Sequence, residues 1–275
     1  MVGVITAIIA VDPLWRFIKP LAEAFCLLTN KRVQIEDRRT ISRSTVHEVL
    51  SSLEVLNGPF KGMKYPSLQS AGGAIYPKIL GSYEHELAAV FERMKTKRYD
   101  WILDIGCAEG YYAVGLALMY PEAKVYGYDT SRRARKLCLS MAKLNGTDGR
   151  LVIGARCTSA DLERLNVDDS SGLVFSDCEG FERHLFTRSS VRNLIGTDVL
   201  IEIHDFVDIS LSGYIEGLFA GTHDIMKIKS VDDLDKAKGY DFPEMEGLSL
   251  EERRTVLAEG RPQLMEWFFC ESRLG

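Results

Sequence analysis

The sequence contains six cysteines among its 275 residues, yet it has no C-x-x-C pair. Paired thiols at that spacing are the usual mark of a zinc site or a dithiol redox site, so neither is predicted. Scattered cysteines without a disulfide pattern are typical of proteins kept in a reducing compartment. We therefore expect a cytoplasmic protein.

The sequence also lacks an apolar run that could cross a bilayer. Residues 1–10 are apolar, but Asp12 and Pro13 follow them, far short of the roughly 20 apolar residues that a membrane-spanning helix needs. No Lys or Arg precedes this run and no clear cleavage site follows it, so we expect no signal peptide.

Positive charge is not in excess. The chain has 34 Lys and Arg against 39 Asp and Glu, which gives a net charge of −5. This balance gives no support for a nucleic-acid partner. The apolar content of 46% and the charged content of 27% are those of an ordinary globular protein, long enough for one α/β domain with an extension.

Strands and helices alternate regularly after Tyr99, which predicts a parallel sheet with crossover helices. The segment before them, residues 57–81, is rich in Gly and Pro, and we interpret it as a loop or short strands covering one mouth of the main domain. Strands are predicted at residues 101–104, 124–128, 151–153, 173–175, 199–203, 224–229 and 263–270.

A glycine motif directly follows the first of these strands. Residues 104–110 read D-I-G-C-A-E-G, and an apolar helical pattern begins after Gly110. This order predicts a strand, a tight turn and a helix, in which backbone N–H groups at the start of the helix can approach a ligand closely.

The acid in this turn discriminates between two classes of ligand. A dinucleotide-binding turn reads G-x-G-x-x-G and directs its N–H groups at a pyrophosphate. Here the spacing is D-x-G-x-x-x-G, and the carboxylate of Asp104 would repel phosphates but suit the ammonium and sulfonium groups of S-adenosylmethionine (SAM). An NAD-dependent oxidoreductase or epimerase remains the alternative, as does a turn in which Asp104 caps the helix and no ligand binds.

At this motif the sequence resembles the class I SAM-dependent methyltransferases. The resemblance implies a Rossmann-like, mostly parallel seven-stranded sheet flanked by helices in residues 96–275. It does not account for the first 80 residues. Apolar residues at three- and four-residue steps predict a helical extension or lid in residues 1–95. A non-catalytic member that uses the fold as an interaction module is a further alternative.

Acids recur where the predicted strands end, which is where α/β sheets bind ligands. Asp129 ends the second strand, where it could accept hydrogen bonds from both ribose hydroxyls of an adenosine, although NAD-binding folds place an acid similarly. For Asp161, contact with the adenine edge and a role as helix cap explain the residue equally well. The expected cofactor-binding residues are Asp104, Gly106, Cys107, Ala108, Gly110, Tyr111, Asp129, Thr130 and Asp161.

Two further segments resemble the FkbM-type methyltransferases. Residues 177–182 read D-C-E-G-F-E, similar to that family's D-x-E-G-x-E segment, and residues 202–204 are similar to its acid-x-His segment. The resemblance covers residues 80–205 and implies O-methylation of a hydroxyl on a small molecule or saccharide. A homo-oligomer is compatible with it. The expected catalytic residues are Asp177, Glu179 and His204.

Three roles are open for His204. It could act as general base together with Asp177, since its ordinary pKa of about 6.5 suits proton transfer near neutral pH. It could instead hold Mg²⁺ or Mn²⁺ with Asp177 and Asp205, which would lower the pKa of the acceptor hydroxyl. In the third hypothesis, His204 is a structural residue held by hydrogen bonds and takes no part in the reaction.

Overall fold

The computed structural model describes residues 52–165, 171–261 and 263–274. The described residues belong to one compact unit, and residues 1–51, where part of the expected helical extension falls, lie outside the described ranges. Residues 52–95, which the sequence assigns to an extension, therefore belong to the same unit as the sheet. Within the described ranges no helix is long and apolar enough to span a membrane.

One sheet of seven strands forms the centre of this unit, in the order β3-β2-β1-β4-β5-β7-β6. Adjacent strands from β1 to β5 are parallel, whereas β7 is antiparallel to both β5 and β6. The predicted fold class is therefore confirmed. The strands are β1 (Trp101–Ile105), β2 (Lys124–Tyr128), β3 (Leu151–Gly154), β4 (Gly172–Ser176), β5 (Thr197–Ile203), β6 (His223–Lys229) and β7 (Glu266–Ser272).

Helices follow most of the strands and cover the sheet. Short 3₁₀ turns lie at His85–Leu87 and Pro243–Met245. The α-helices of the described ranges are α1 (Ile75–Leu80), α2 (Ala88–Lys95), α3 (Tyr111–Met119), α4 (Arg132–Leu144), α5 (Ser159–Glu163), α6 (Glu182–Leu185), α7 (Arg188–Arg192), α8 (Leu211–Phe219), α9 (Asp233–Gly239) and α10 (Leu250–Leu257).

The central strands are buried along their whole length. Every residue of β4 and β5 is buried, as expected for parallel strands covered by helices on both faces. The strand order reverses between β1 and β4, since β2 and β3 extend from one side and β5 from the other. In open α/β sheets this reversal leaves a crevice at the carboxyl ends of the strands, where ligands bind.

The segment before β1 contains an extended hairpin and helix α1. Glu54 and Lys64 form an antiparallel bridge, and Phe60 packs edge-on against Tyr111 with ring centroids 5.2 Å apart. Helix α1 differs from the expected loop. It tolerates Pro77 because this residue lies in the first turn, where a missing N–H breaks no intrahelical bond.

Candidate functional site

A cleft of about 340 Å³ opens at the carboxyl ends of β1 to β4, a size within the range of roughly 300–1,000 Å³ typical of small-molecule sites. It brings together two groups of residues that the sequence predicted separately, one for the cofactor and one for catalysis. The predicted residues on its wall are Gly106, Ala108, Asp129, Thr130, Asp177 and Glu179.

The glycine turn packs against the backbone of the residue that follows β4. Gly106 has a φ of 93°, and a Cβ at this position would lie 1.6 Å from the backbone oxygen of Asp177. Gly110, with a φ of 103°, caps the N-terminus of α3. Only glycine fits the first position, because both the backbone conformation and the neighbouring strand exclude a side chain.

Asp129 connects the tip of β2 to the glycine turn. Its Oδ2 accepts a hydrogen bond from the Ala108 N–H at 3.0 Å, and its Oδ1 accepts one from the Ser131 N–H at 2.7 Å. Each carboxylate oxygen can accept a second hydrogen bond. Asp129 therefore stabilises the turn and keeps acceptor capacity on the wall of the cleft.

Asp104 lies beneath the turn rather than on the wall of the cleft. It is 1% exposed, and its Oδ2 has no hydrogen-bond partner within the described part of the chain. Burial and the charge of Asp129 raise its pKa to about 8, against a backbone hydrogen bond from Ala113 that lowers it. Without a ligand, the carboxyl group is therefore mostly protonated at neutral pH.

The remaining predicted cofactor residues lie off the wall. Cys107 is buried, with its Sγ packed where a Cβ on Gly127 would be. Tyr111 is also buried within an aromatic cluster. Asp161 caps α5, since its Oδ2 accepts hydrogen bonds from the N–H and hydroxyl of Thr158 at 2.8 and 2.6 Å.

His204 follows β5 and is surrounded by four carboxyl groups. It is 1% exposed, and its Nδ1 lies 2.7 Å from Oε1 of Glu182. Its Nε2 lies 3.5 Å from Glu202, 3.6 Å from Asp177 and 3.7 Å from Glu179. We call these five residues the acid–histidine cluster. Asp177 and Glu179 also line the cleft, so the cluster lies at its edge.

The charges in this cluster depend on one another. Burial lowers the pKa of His204, but Glu182, Glu202 and Glu179 outweigh it, and the pKa lies above its ordinary value. Burial alone would raise the pKa of Glu182, but the hydrogen bond and charge of His204 lower it below its ordinary value. Burial together with the charge and hydrogen bond of Glu202 raises the pKa of Asp177 well above its usual range. The raised pKa of Asp177 favours its protonated form beside Glu202. The raised pKa of His204 and the lowered pKa of Glu182 favour opposite charges on these two groups.

Part of the cluster also matches a cation site. Asp177, Glu179 and His204 each offer one ligand atom, and these atoms lie within 4.8 Å of one another. Two carboxylates and an imidazole form a donor set that suits Mn²⁺ or Mg²⁺. Asp205 is not in this group, since its Oδ1 accepts a hydrogen bond from the Ser212 N–H at 2.9 Å.

Sequence reasoning missed the side chains that support the cluster. Glu182 lies in the recognised D-x-E-G-x-E segment, so its position was a usable signal. Arg261 contacts Glu202 and also lies 2.6 Å from Glu84 and 2.9 Å from Glu259. No local pattern marks Arg261, because its partners come from segments far away in the chain.

No family model and no curated protein match the chain. Solved structures similar to it include the O-methyltransferase TomG from Streptomyces achromogenes in complex with SAM, with 14% identity, a TM-score of 0.46, and coverage of 70% of this chain and 82% of that one. The O-MT region of StiE has 15% identity, a TM-score of 0.39, and coverage of 73% and 81%. The bifunctional kinase-methyltransferase WbdD has 17% identity and a TM-score of 0.42, over 68% of this chain and 38% of that one. Because these identities and TM-scores are low, the similarities do not establish an activity for this chain, and any conclusion about activity has to come from its own site residues.

Proposed function

We propose that the protein is a SAM-dependent methyltransferase of the FkbM-like type that methylates a hydroxyl group on a small molecule or saccharide. One observation supports this most directly: the glycine turn with Asp129 and the acid–histidine cluster meet at the same cleft. The cofactor supplies an activated methyl group, so the chain has to align the acceptor and help to remove its proton.

The turn end of the cleft suits the cofactor. Asp129 would accept hydrogen bonds from the ribose hydroxyls, and the small residues Gly106 and Ala108 allow close approach of the ligand to the backbone. Asp104 would act electrostatically from beneath the turn. A bound ammonium group favours its ionised form, so binding near neutral pH should release a proton from this carboxyl group.

The acid–histidine cluster suits removal of the acceptor proton. Glu182 lies against Nδ1 of His204, which leaves Nε2 directed towards Asp177 and Glu179 at the edge of the cleft. In its neutral form, Nε2 would take the hydroxyl proton, and Glu182 would stabilise the resulting imidazolium. Because the pKa of His204 is raised, turnover should increase with pH through a pKa above 6.5.

A divalent cation is a second candidate for the same step. It would be held by Asp177, Glu179 and His204, and it would lower the pKa of a hydroxyl bound to it. Dialysis against a chelator followed by addition of Mn²⁺ or Mg²⁺ separates the two candidates. Loss of turnover that is restored by the ion supports the cation, whereas unchanged turnover supports the base.

The proposal is tested by calorimetric titration with S-adenosylhomocysteine, the product form of the cofactor, and with NAD. We expect binding of the former only, with proton release at pH 7 seen as a dependence of the apparent enthalpy on buffer ionisation. Turnover is then measured as S-adenosylhomocysteine formed with a panel of hydroxylated small molecules and saccharides. Binding of NAD alone would support an oxidoreductase or epimerase, and cofactor binding without turnover across the panel would support a non-catalytic member.

A further inference from the structure

One wall of the cleft comes from a segment that lies before the whole sheet in the chain. Ala71 and Gly72 line the cleft beside Ala108 of the glycine turn. A Cβ on Gly72 would lie 3.4 Å from the Cβ of Ala108. We call residues 70–73 the strap, because they lie directly against the turn at the cleft.

Glu109 of the glycine turn contacts the backbone of this strap. Its Oε2 accepts hydrogen bonds from the N–H of Ala71 at 2.9 Å and of Gly72 at 3.3 Å. Its Oε1 accepts one from Nζ of Lys78 at 2.6 Å. Glu109 is 1% exposed, so these three donors replace the hydrogen bonds to water that its carboxylate loses on burial.

Lys78 contacts the strap from helix α1. It is 3% exposed, and besides Glu109 it donates to the backbone oxygen of Gly72 and to the hydroxyl of Ser70 at 3.3 Å. The same ammonium lies 4.7 Å from the ring centroid of Tyr83. Within the described part of the chain, its hydrogen-bond partners are therefore either strap atoms or the carboxylate that holds the strap.

These contacts join the two walls of the cleft through one buried ion pair. Glu109 lies between Ala108, which lines the cleft, and Gly110, which caps α3. A buried ion pair is a costly way to gain stability alone, since desolvation offsets most of the attraction, but it can fix one particular arrangement. Here that arrangement is the position of the strap relative to the glycine turn.

We propose that Lys78 and Glu109 are positioning residues that fix the strap against the glycine turn and so set the width of the cofactor cleft. The identity of the cofactor depends on the function proposed above, whereas the fixing of the strap does not. Without the ion pair, the strap separates from the turn, and a bound cofactor loses contact with one wall and gains access to water.

Lys78→Met tests this inference, with Lys236→Met as matched control. Lys236 and Glu259 also form a buried ion pair, with 2.5 Å between Nζ and Oε1, but neither residue lines the cleft. Both variants should lower the melting temperature. Only Lys78→Met should speed amide exchange at Ala71 and Gly72 by tenfold or more and weaken binding of S-adenosylhomocysteine by tenfold or more. Glu109→Gln, which keeps a side-chain oxygen for the strap amides, should show a smaller effect in the same direction.

Strap amides that exchange in Lys78→Met as in wild type would overturn the inference, and so would an equal loss of affinity in Lys236→Met. If the wild-type protein does not bind S-adenosylhomocysteine, the proposed function fails together with the cofactor part of the inference. The exchange measurement needs no ligand, and it still decides whether the ion pair fixes the strap.

Discussion

The two ends of the cleft are built from different kinds of contact. At the turn end, backbone N–H groups of the glycine turn donate to the tip of β2, partly through the carboxylate of Asp129, and these bonds fix the shape of the backbone. At the other end, His204 is held by side chains from residues 177–182 and by Glu202. The first end is defined by backbone shape and the second by a balance of charges, so we expect substitutions to affect binding at one end and chemistry at the other.

The largest expected effect separates the two ends directly. His204→Ala should lower turnover by about 10²- to 10⁴-fold, the usual contribution of general acid–base catalysis. Affinity for S-adenosylhomocysteine should stay within a few-fold of wild type, because His204 does not line the turn. Steady-state kinetics and calorimetry on the same preparation measure both quantities. Unchanged turnover would rule out the base role, and a parallel loss of affinity would show that the ends are not independent.

The converse change is Asp104→Asn at the turn end. The substitution removes the negative charge that would attract a bound ammonium group from beneath the turn. Two unit charges about 6–10 Å apart attract each other by about 2–3 kcal/mol at an effective dielectric constant of about 20, so affinity should fall by about 10- to 100-fold. Calorimetric titration with S-adenosylhomocysteine measures this loss, and the proton release on binding should disappear. Wild-type affinity in this variant would contradict the assigned pocket.

The same variant should behave differently without ligand. The pKa of Asp104 is raised to about 8 in the folded protein, so the folded state keeps a proton that the unfolded state loses near pH 4. This carboxyl group therefore lowers the free energy of unfolding as pH rises from about 4 to about 8. Asp104→Asn should match wild type near pH 4 and melt about ten degrees higher or more at pH 8. A pKa raised by about four units corresponds to about 5 kcal/mol, and each kcal/mol corresponds to roughly 2–4 °C in a protein of this size. Scanning calorimetry at the two pH values checks the sign.

The smallest expected effect concerns Asp205, which the sequence placed in the cation site. In the structure its carboxylate caps a backbone N–H of α8. Asp205→Asn keeps an oxygen that can accept the Ser212 N–H, so it should lower the free energy of unfolding by less than about 1 kcal/mol, the typical value of one hydrogen bond, and leave turnover within about twofold. Glu179→Gln is the paired variant, since it alters the three-residue group. If Asp205→Asn changed the response to Mn²⁺ more than Glu179→Gln, the ligand set would have to be revised.

Much of the sheet could be predicted because each strand has its own pattern of apolar residues within a few consecutive positions. The apolar pattern predicts a strand at residues 124–128, and the structure has the same bounds for β2. The pattern was less accurate for β7, which was expected at residues 263–270 and lies at Glu266–Ser272. Helix α1 was missed, because Gly and Pro residues around it resemble a loop and because its apolar residues Ile75, Ile79 and Leu80 are too few for a periodic signal.

The site could be predicted only in part, for the same reason. The residues of the glycine turn follow one another in the chain, so their spacing carried the information. The partners of His204 and Arg261 are decided by how strands and loops pack, and side-chain pairs over such distances leave no pattern in a single sequence. The same is true of Lys78 and Glu109, which lie 31 residues apart.

The order of strands has a consequence for synthesis of the protein. Among the strands of the described ranges, β6 pairs with β7 alone, and β7 in turn lies between β5 and β6 with Trp267, Phe268 and Phe269 fully buried. During translation, the edges of β5 and β6 that pair with β7 must therefore stay unpaired until β7 has left the ribosomal tunnel. Throughout this interval the nascent chain exposes unpaired backbone N–H and C=O groups, which favour aggregation. Chaperone binding would therefore protect the chain most at this stage.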